Sequence, residues 1–155
     1  MKRTAIYPGT FDPITLGHVD VVNRGLKLFD RIVIGVAENP KKAPMFDLAT
    51  RLKMVRETFA DQPAVEAVGF SGLLVNLAHD QHGGAILRGL RAASDFEYEF
   101  QMATMNRRLD EKIETVFVMA REDYTFVSSR FIREIASMGG DVSELVPAAV
   151  APYLK

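Results

Sequence analysis

The sequence predicts a Rossmann-like α/β fold: a doubly wound, five-stranded parallel sheet with helices on both faces. Three observations lead there. Short β-prone runs alternate with longer stretches of helical apolar spacing along the whole chain. The run Ile32-Val33-Ile34-Gly35-Val36-Ala37 is apolar without alternation, the pattern of a strand covered on both faces. Glycine or proline punctuates several of the element ends, where the chain has to turn. At 155 residues the chain suits one domain, 1–155, with a single good core.

Taken in order, residues 4–7 form strand β1, which the Pro8-Gly9 pair is expected to stop. Val19, Val22, Leu26 and Phe29 recur at helical spacing and predict helix α1 over 17–30. Strand β2 follows at 32–37, and then a polar loop at 38–44. Asp47 can cap helix α2, whose Leu48, Leu52, Val55 and Phe59 lie on one side and which ends before Pro63. Strand β3 is read at 65–70, helix α3 at 73–82 with Gly83-Gly84 behind it, and strand β4 at 85–88. Ser94 with Glu97 makes a capping box for helix α4, which runs to about residue 112. Strand β5 spans 115–119, and helix α5 spans 128–138 before Gly139-Gly140. In such sheets ligands bind at the carboxyl ends of the strands, so the loops after β1, β2, β4 and β5 are where a site is expected.

Composition narrows the function classes. A formal net charge of −1 gives no whole-protein basic field, so any polyanion must be met by a local cluster and nucleic acid is not an expected partner. With no cysteine there are no disulfides, thiolate nucleophiles, iron–sulfur clusters or thiolate zinc sites. Residues 1–8 hold too short an apolar run for a signal peptide, and no stretch reaches transmembrane length. The expectation is a cytoplasmic protein without a membrane partner.

The strongest chemical feature is Tyr7-Pro8-Gly9-Thr10-Phe11-Asp12-Pro13-Ile14-Thr15-Leu16-Gly17-His18, leaving β1 and entering α1. Gly17 permits close approach of a ligand, and free amides at a helix start favour anionic oxygens. A histidine on that rim can donate to phosphate oxygens as charge builds during displacement, and the helix dipole opposes its permanent protonation. Otherwise a lone histidine there is a packing or capping residue. After β2, Lys41 and Lys42 lie between Pro40 and Pro44, and either lysine can bind phosphate or remain solvated. Arg88 and Arg91 flank Gly89-Leu90 at the end of β4; they suit phosphates, or they pair with Asp95, Glu97 or Glu99. Ser128 and Ser129 open α5 and can cap it or cradle phosphate. Phe96, Phe100, Met102 and Met105 on α4 are expected in the core or at a subunit interface, and Leu73 and Leu74 in the core. His79 and His82 are read as surface residues near a helix end.

The Thr15-Leu16-Gly17-His18 element resembles the signature of the nucleotidylyltransferases, and the Pro8 to Pro13 segment before it resembles their phosphopantetheine adenylyltransferase branch. The resemblance runs in register from about Ile6 to Val146. It implies transfer of AMP from ATP to 4'-phosphopantetheine, giving dephospho-coenzyme A and pyrophosphate, with Mg2+ accompanying ATP. By the same resemblance, Thr10 contacts ATP and the acceptor phosphate, Phe11 meets ATP through its backbone, and His18 stabilises the transition state. Lys42, rather than Lys41, and Arg88 belong to the acceptor, with a backbone contact from Leu74. Gly89, Leu90, Arg91 and Glu99 belong to ATP, as does the loop of Tyr124, Thr125, Phe126, Val127, Ser128, Ser129 and Arg130. Val127 stands where the branch carries isoleucine, and Arg130 stands where a third hydroxyl is common. A homohexamer and coenzyme A as a feedback ligand are further implications.

No general base is needed, because a phosphomonoester acceptor with a second pKa of ~6 is mostly dianionic at neutral pH. The shared His18 element leaves nicotinate mononucleotide and sugar or polyol phosphates as rival acceptors. A nucleotide-binding regulatory domain is a rival of another class.

Overall fold

The computed structural model describes residues 2–155, the side chains of residues 93 and 94 excepted. Five strands, β1 (Thr4–Gly9), β2 (Arg31–Ala37), β3 (Val65–Phe70), β4 (Ala85–Leu90) and β5 (Glu114–Met119), form one parallel sheet in the order β3-β2-β1-β4-β5. The helices are α1 (Leu16–Gly25), α2 (Leu48–Thr58), α3 (Leu74–Asp80), α4 (Ala93–Leu109) and α5 (Ser129–Ser137). This is the doubly wound architecture that the sequence predicts. The chain builds outward from β1 on one side through β2 and β3, then crosses to β4 and β5 on the other.

Side-chain alternation in the strands divides the core. Ala5, Tyr7, Ile32, Ile34, Val36 and Leu87 are buried with Val21 and Val22 of α1, Met54 and Val55 of α2 and Ile132 of α5. Ile6, Val33 and Ile86 point the other way, against Val75, Leu77 and Ala78 of α3. Both faces of the central strands are therefore covered, which is why β2 reads as an unbroken apolar run.

Several boundaries differ from the expected ones: β4 runs on to Leu90, α3 is shorter at Leu74–Asp80, α4 ends at Leu109, and three further differences have a clear physical reason. Strand β1 runs on through Pro8 and Gly9, which pair with Gly35 and Val36 of β2. The missing N–H of Pro8 costs nothing because β1 and β4 pair only at Ala5 with Ala85 and Ile6 with Ile86, so no β4 acceptor is left waiting. Helix α1 ends at Gly25, where an added Cβ would lie 2.5 Å from Leu87 and 2.8 Å from Ile32. The helix end is pressed onto the sheet, and Leu26 and Phe29 continue the apolar spacing as turn residues packed on the core. Helix α4 starts at Ala93, ahead of Ser94, so the expected box of Ser94 with Glu97 does not begin it; the Ser94 side chain lies outside the described residues. Instead Asp95 accepts from the N–H groups of Arg91 and Ala92, at 3.1 and 3.3 Å, satisfying amides at the helix start.

Ile34 is fully buried in the larger half of the core. Truncation to alanine is expected to cost ~2–5 kcal/mol in urea unfolding, with turnover per folded molecule retained.

Candidate active site

The β1–β2 and β4–β5 ladders continue to Gly9 and Leu90, whereas the β1–β4 ladder is confined to Ala5 and Ile6. Past Ile6 the two central strands part, and their carboxyl ends open into a cleft of about 840 Å³ at the point where the strand order reverses.

Arg88 bridges this gap. Its Nη1 donates to the Pro8 carbonyl at 2.8 Å, and Nε and Nη2 donate to the two carboxylate oxygens of Glu99, the Nε bond at 2.9 Å. Of the acidic residues open to it, Glu99 is thus the partner of Arg88; it is 7% exposed on α4 and turned toward the sheet. Burial alone would lower the pKa of Arg88, but the hydrogen bonds and charge of Glu99 outweigh it and raise the pKa above the ordinary value. Arg91 pairs with Asp95 at 3.5 Å and donates to the Val127 carbonyl at 3.2 Å, which ties the end of β4 to the loop before α5. Gly89 permits a close approach, here to protein: a Cβ would lie 2.5 Å from Val21 of α1.

His18 takes the capping role that its sequence position leaves open and also lines the cleft. Thr15 is the N-cap of α1, and its backbone N–H donates to His18 Nδ1 at 2.9 Å, so the ring closes a capping box. A nitrogen that accepts a backbone N–H carries no proton, which places the proton of the neutral ring on Nε2. Phe11, 2% exposed and with φ of +50°, sets its ring edge-on to the imidazole at a centroid distance of 4.8 Å. Burial, then the positive fields of Arg88 and Arg91, lower the His18 pKa to about 3. The ring is therefore a neutral Nε2–H donor on the cleft wall, and the adjacent guanidinium charges contribute to keeping it so.

Other expected residues meet this centre from separate loops. Thr10 and Lys42 both line the cleft, while Lys41 is exposed and outside its wall. Ser128 caps α5 by accepting from the Phe131 N–H at 3.1 Å, leaving its own proton free. Ser129 donates to the Pro13 carbonyl at 2.7 Å, so its proton is committed within the protein. Arg130 pairs with Glu134 at 3.2 Å in solvent and lies on the cleft rim. Tyr124 and Val127 also line the cleft. Leu90, Thr125 and Phe126 do not: the Leu90 carbonyl accepts from Ala120 N–H, Thr125 donates to the Glu122 carbonyl, and Phe126 packs edge-on to Phe131.

The opposite wall corrects two expectations. Leu73 is 53% exposed at the cleft rather than in the core, because it precedes α3 instead of starting it; Leu74 is half-buried between cleft and core. Met102 and Met105 also line the cleft, with Tyr98 and Leu109 on the same stripe of α4 and the buried Asn106 beside them. Their spacing is helical, but the stripe faces open volume instead of the core. Phe96 and Phe100 are exposed and outside the cleft, so within this chain they are not core residues either. His79 and His82 are exposed, and His79 pairs with Asp110.

Among the described residues no group of three or more His, Cys, Asp or Glu side chains is placed to hold a metal ion. The cleft carboxylates Asp12, Asp95 and Glu99 are engaged by the Met45 and Phe46 N–H groups, by Arg91 and by Arg88 respectively. This donor set does not form a protein cage for Mg2+, and any such ion would have to be carried by a ligand's phosphates. Among the described residues no helix is long and apolar enough to cross a membrane.

A nucleotide-sized cleft at the switch point of a doubly wound sheet, walled by cations and a neutral imidazole donor, defines a phosphate-handling enzyme of the nucleotidyltransferase class. The cytidylyltransferase-like family model matches residues 6–135. The chain is 57% identical over 154 residues to the phosphopantetheine adenylyltransferase of Methylococcus capsulatus, covering 99% of this chain and 95% of that one. It is 53% identical to that of Anaeromyxobacter sp. strain K, covering 100% and 94%. It belongs to the phosphopantetheine adenylyltransferase branch of the cytidylyltransferase-like family. Among solved structures, a nicotinate-nucleotide adenylyltransferase described as putative, from Vibrio parahaemolyticus, superposes with a TM-score of 0.75 at 21% identity, over 99% of this chain and 92% of that one. That likeness is one of fold.

The folded-state pKa of His18 lies below its ordinary value of 6.5, so the unfolded chain takes up the proton first. Stability associated with the neutral ring is complete above about pH 6.5 and declines as pH falls toward 3. Urea unfolding at pH 7 and pH 5 should show a smaller acid loss for His18→Gln than for the wild type. Equal losses would contradict a neutral ring.

Proposed function

We propose that the chain transfers AMP from ATP to 4'-phosphopantetheine, releasing pyrophosphate and forming dephospho-coenzyme A. The observation that carries this reading is the neutral Nε2–H of His18, within the fields of Arg88 and Arg91 on the wall of a cleft of about 840 Å³.

The cleft's lining is of more than one chemistry. Thr10, Lys42 and Arg88 offer a hydroxyl and two cations to the acceptor's phosphate, while Leu73, Leu74, Met102 and Met105 offer an apolar track with the Asn106 amide beside it. A pantetheine arm, apolar but interrupted by amides, suits that track. Arg91, the Ser128 hydroxyl and the first-turn amides of α5 suit the phosphates of ATP. Glu99 acts in this reading on the acceptor's side rather than on ATP, as the counter-ion that fixes Arg88.

The acceptor's dianionic phosphate attacks the α-phosphorus of ATP in line; the new P–O bond forms as the bond to pyrophosphate breaks. No side chain has to remove a proton. His18 donates to an α-phosphate oxygen as negative charge gathers there, and Lys42, Arg88 and Arg91 offset the repulsion between the two anions. Mg2+ would be held by the phosphates of ATP rather than by protein carboxylates, and would screen their charge. Coenzyme A carries the same arm and an adenylate, so it competes for the same cleft. The exposed Phe96 and Phe100 favour association into the hexamer that the family resemblance implies. A cytoplasmic location accords with these substrates.

Pyrophosphate release with ATP, Mg2+ and a panel of phosphorylated acceptors tests the substrate directly. Turnover with 4'-phosphopantetheine far above that with nicotinate mononucleotide or sugar phosphates is expected, and preference for another acceptor would overturn the reading. In the same assay His18→Ala should lower kcat by about 10²–10³-fold with the KM for ATP little changed. Comparable losses in both would remove His18 from its assigned role.

A further inference from the structure

The loop that carries Lys42 is an arch whose two feet are held by buried side chains beneath them. Its crown is a 3₁₀ turn, Pro40–Lys42, flanked by Asn39 and Ala43 in left-handed conformations at φ of +46° and +43°. Neither residue is glycine, so the arch holds a shape that a free loop would relax. The residues that restrain it lie underneath.

Arg51 is 1% exposed on α2, and its guanidinium donates to four backbone carbonyls: Ala37 at 2.6 Å, Glu38 at 3.1 Å, Phe46 at 2.9 Å and Thr10 at 2.8 Å. The first two are the arch's leading foot, Phe46 is its trailing foot, and Thr10 belongs to the loop after β1. Asp12, 3% exposed, accepts from the N–H groups of Met45 and Phe46 at 2.8 and 2.9 Å. Arg133 of α5 holds that side by donating to the Asp12 carbonyl at 2.7 Å. At the crown, the Asn39 amide donates to Thr10 Oγ1 at 3.2 Å.

We infer that Arg51 and Asp12 are positioning residues that clamp the arch to the loop after β1 and thereby set the separation of Lys42 from Thr10, preforming the subsite for the acceptor's phosphate. This rests on the functional reading above. Arginine is required at position 51 because its planar fork serves four fixed carbonyls at once, which the point charge of lysine cannot do. The clamp acts on the acceptor side: Arg91 and Ser128 are held by other bonds, and α5 meets the clamped loop through Arg133 on the Asp12 carbonyl and Ser129 on the Pro13 carbonyl, bonds in which Arg51 takes no part.

The test compares wild type with Arg51→Lys at a temperature where circular dichroism shows both folded, measuring pyrophosphate release against each substrate. The KM for 4'-phosphopantetheine should rise by about tenfold or more while the KM for ATP stays within about twofold. A role confined to stability reduces only the folded fraction, which lowers apparent kcat and leaves both KM values unchanged. That result, or an equal rise in both, would overturn the inference. Hydrogen exchange of the ligand-free wild type supplies the second measurement should Arg51→Lys not fold or wild type not use this acceptor. The Met45 and Phe46 amides should exchange as slowly as those of β2, and exchange at the rate of an open loop would contradict the clamp. A wild type inactive on 4'-phosphopantetheine with slow amides refutes the substrate and supports the clamp's geometry.

Discussion

The site depends on the parting of β1 and β4. Two central parallel strands that would otherwise share a full ladder are paired at only Ala5 and Ile6, and the remaining backbone groups on their facing edges need other partners. Pro8 answers part of that demand by having no N–H to satisfy, and Arg88 answers another by donating to the Pro8 carbonyl. The opening is therefore filled by a cation rather than by more sheet.

A guanidinium in that position carries consequences for its neighbours. Glu99 is drawn in from α4 to pair with it, which orients the helix so that Tyr98, Met102 and Met105 face the cleft. The positive field of Arg88, with that of Arg91 and the burial of the ring, disfavours a third charge on His18. A neutral imidazole whose Nδ1 is occupied by a backbone N–H has one proton to offer, and Nε2 presents it. The helix dipole expected to keep the ring neutral is thus joined by two nearer sources, desolvation and the arginines.

Much of this is legible in the residues alone because it follows from periodicity and local chemistry. The unbroken apolar run of β2 signals two covered faces, and Thr15-Leu16-Gly17-His18 marks the start of α1 at the edge of a strand. What the sequence hides depends on pairing across the fold. Pro8 looks like a strand stop because nothing local reveals that β4 has already diverged. The stripe of Tyr98, Met102, Met105 and Leu109 has the spacing of a core face, and only the third dimension shows volume in front of it. Arg51 left a trace that can be read: it falls with Leu48, Leu52 and Val55 on the apolar side of α2, where a charged residue must find buried partners. Which of Asp95, Glu97 and Glu99 pairs with Arg88 is set by the turn of α4 and has no local signature.

The proposed displacement requires two phosphorylated ligands in the one cleft at the same time, with His18 between them. A crystal structure with 4'-phosphopantetheine and an ATP analogue that cannot release pyrophosphate addresses this most directly. The acceptor's phosphate should sit between Thr10, Lys42 and Arg88, in line with the α-phosphorus, with His18 Nε2 at about 3 Å from an α-phosphate oxygen. An acceptor phosphate bound outside that group, or an imidazole turned from the α-phosphate with Nδ1 released from Thr15, would contradict it.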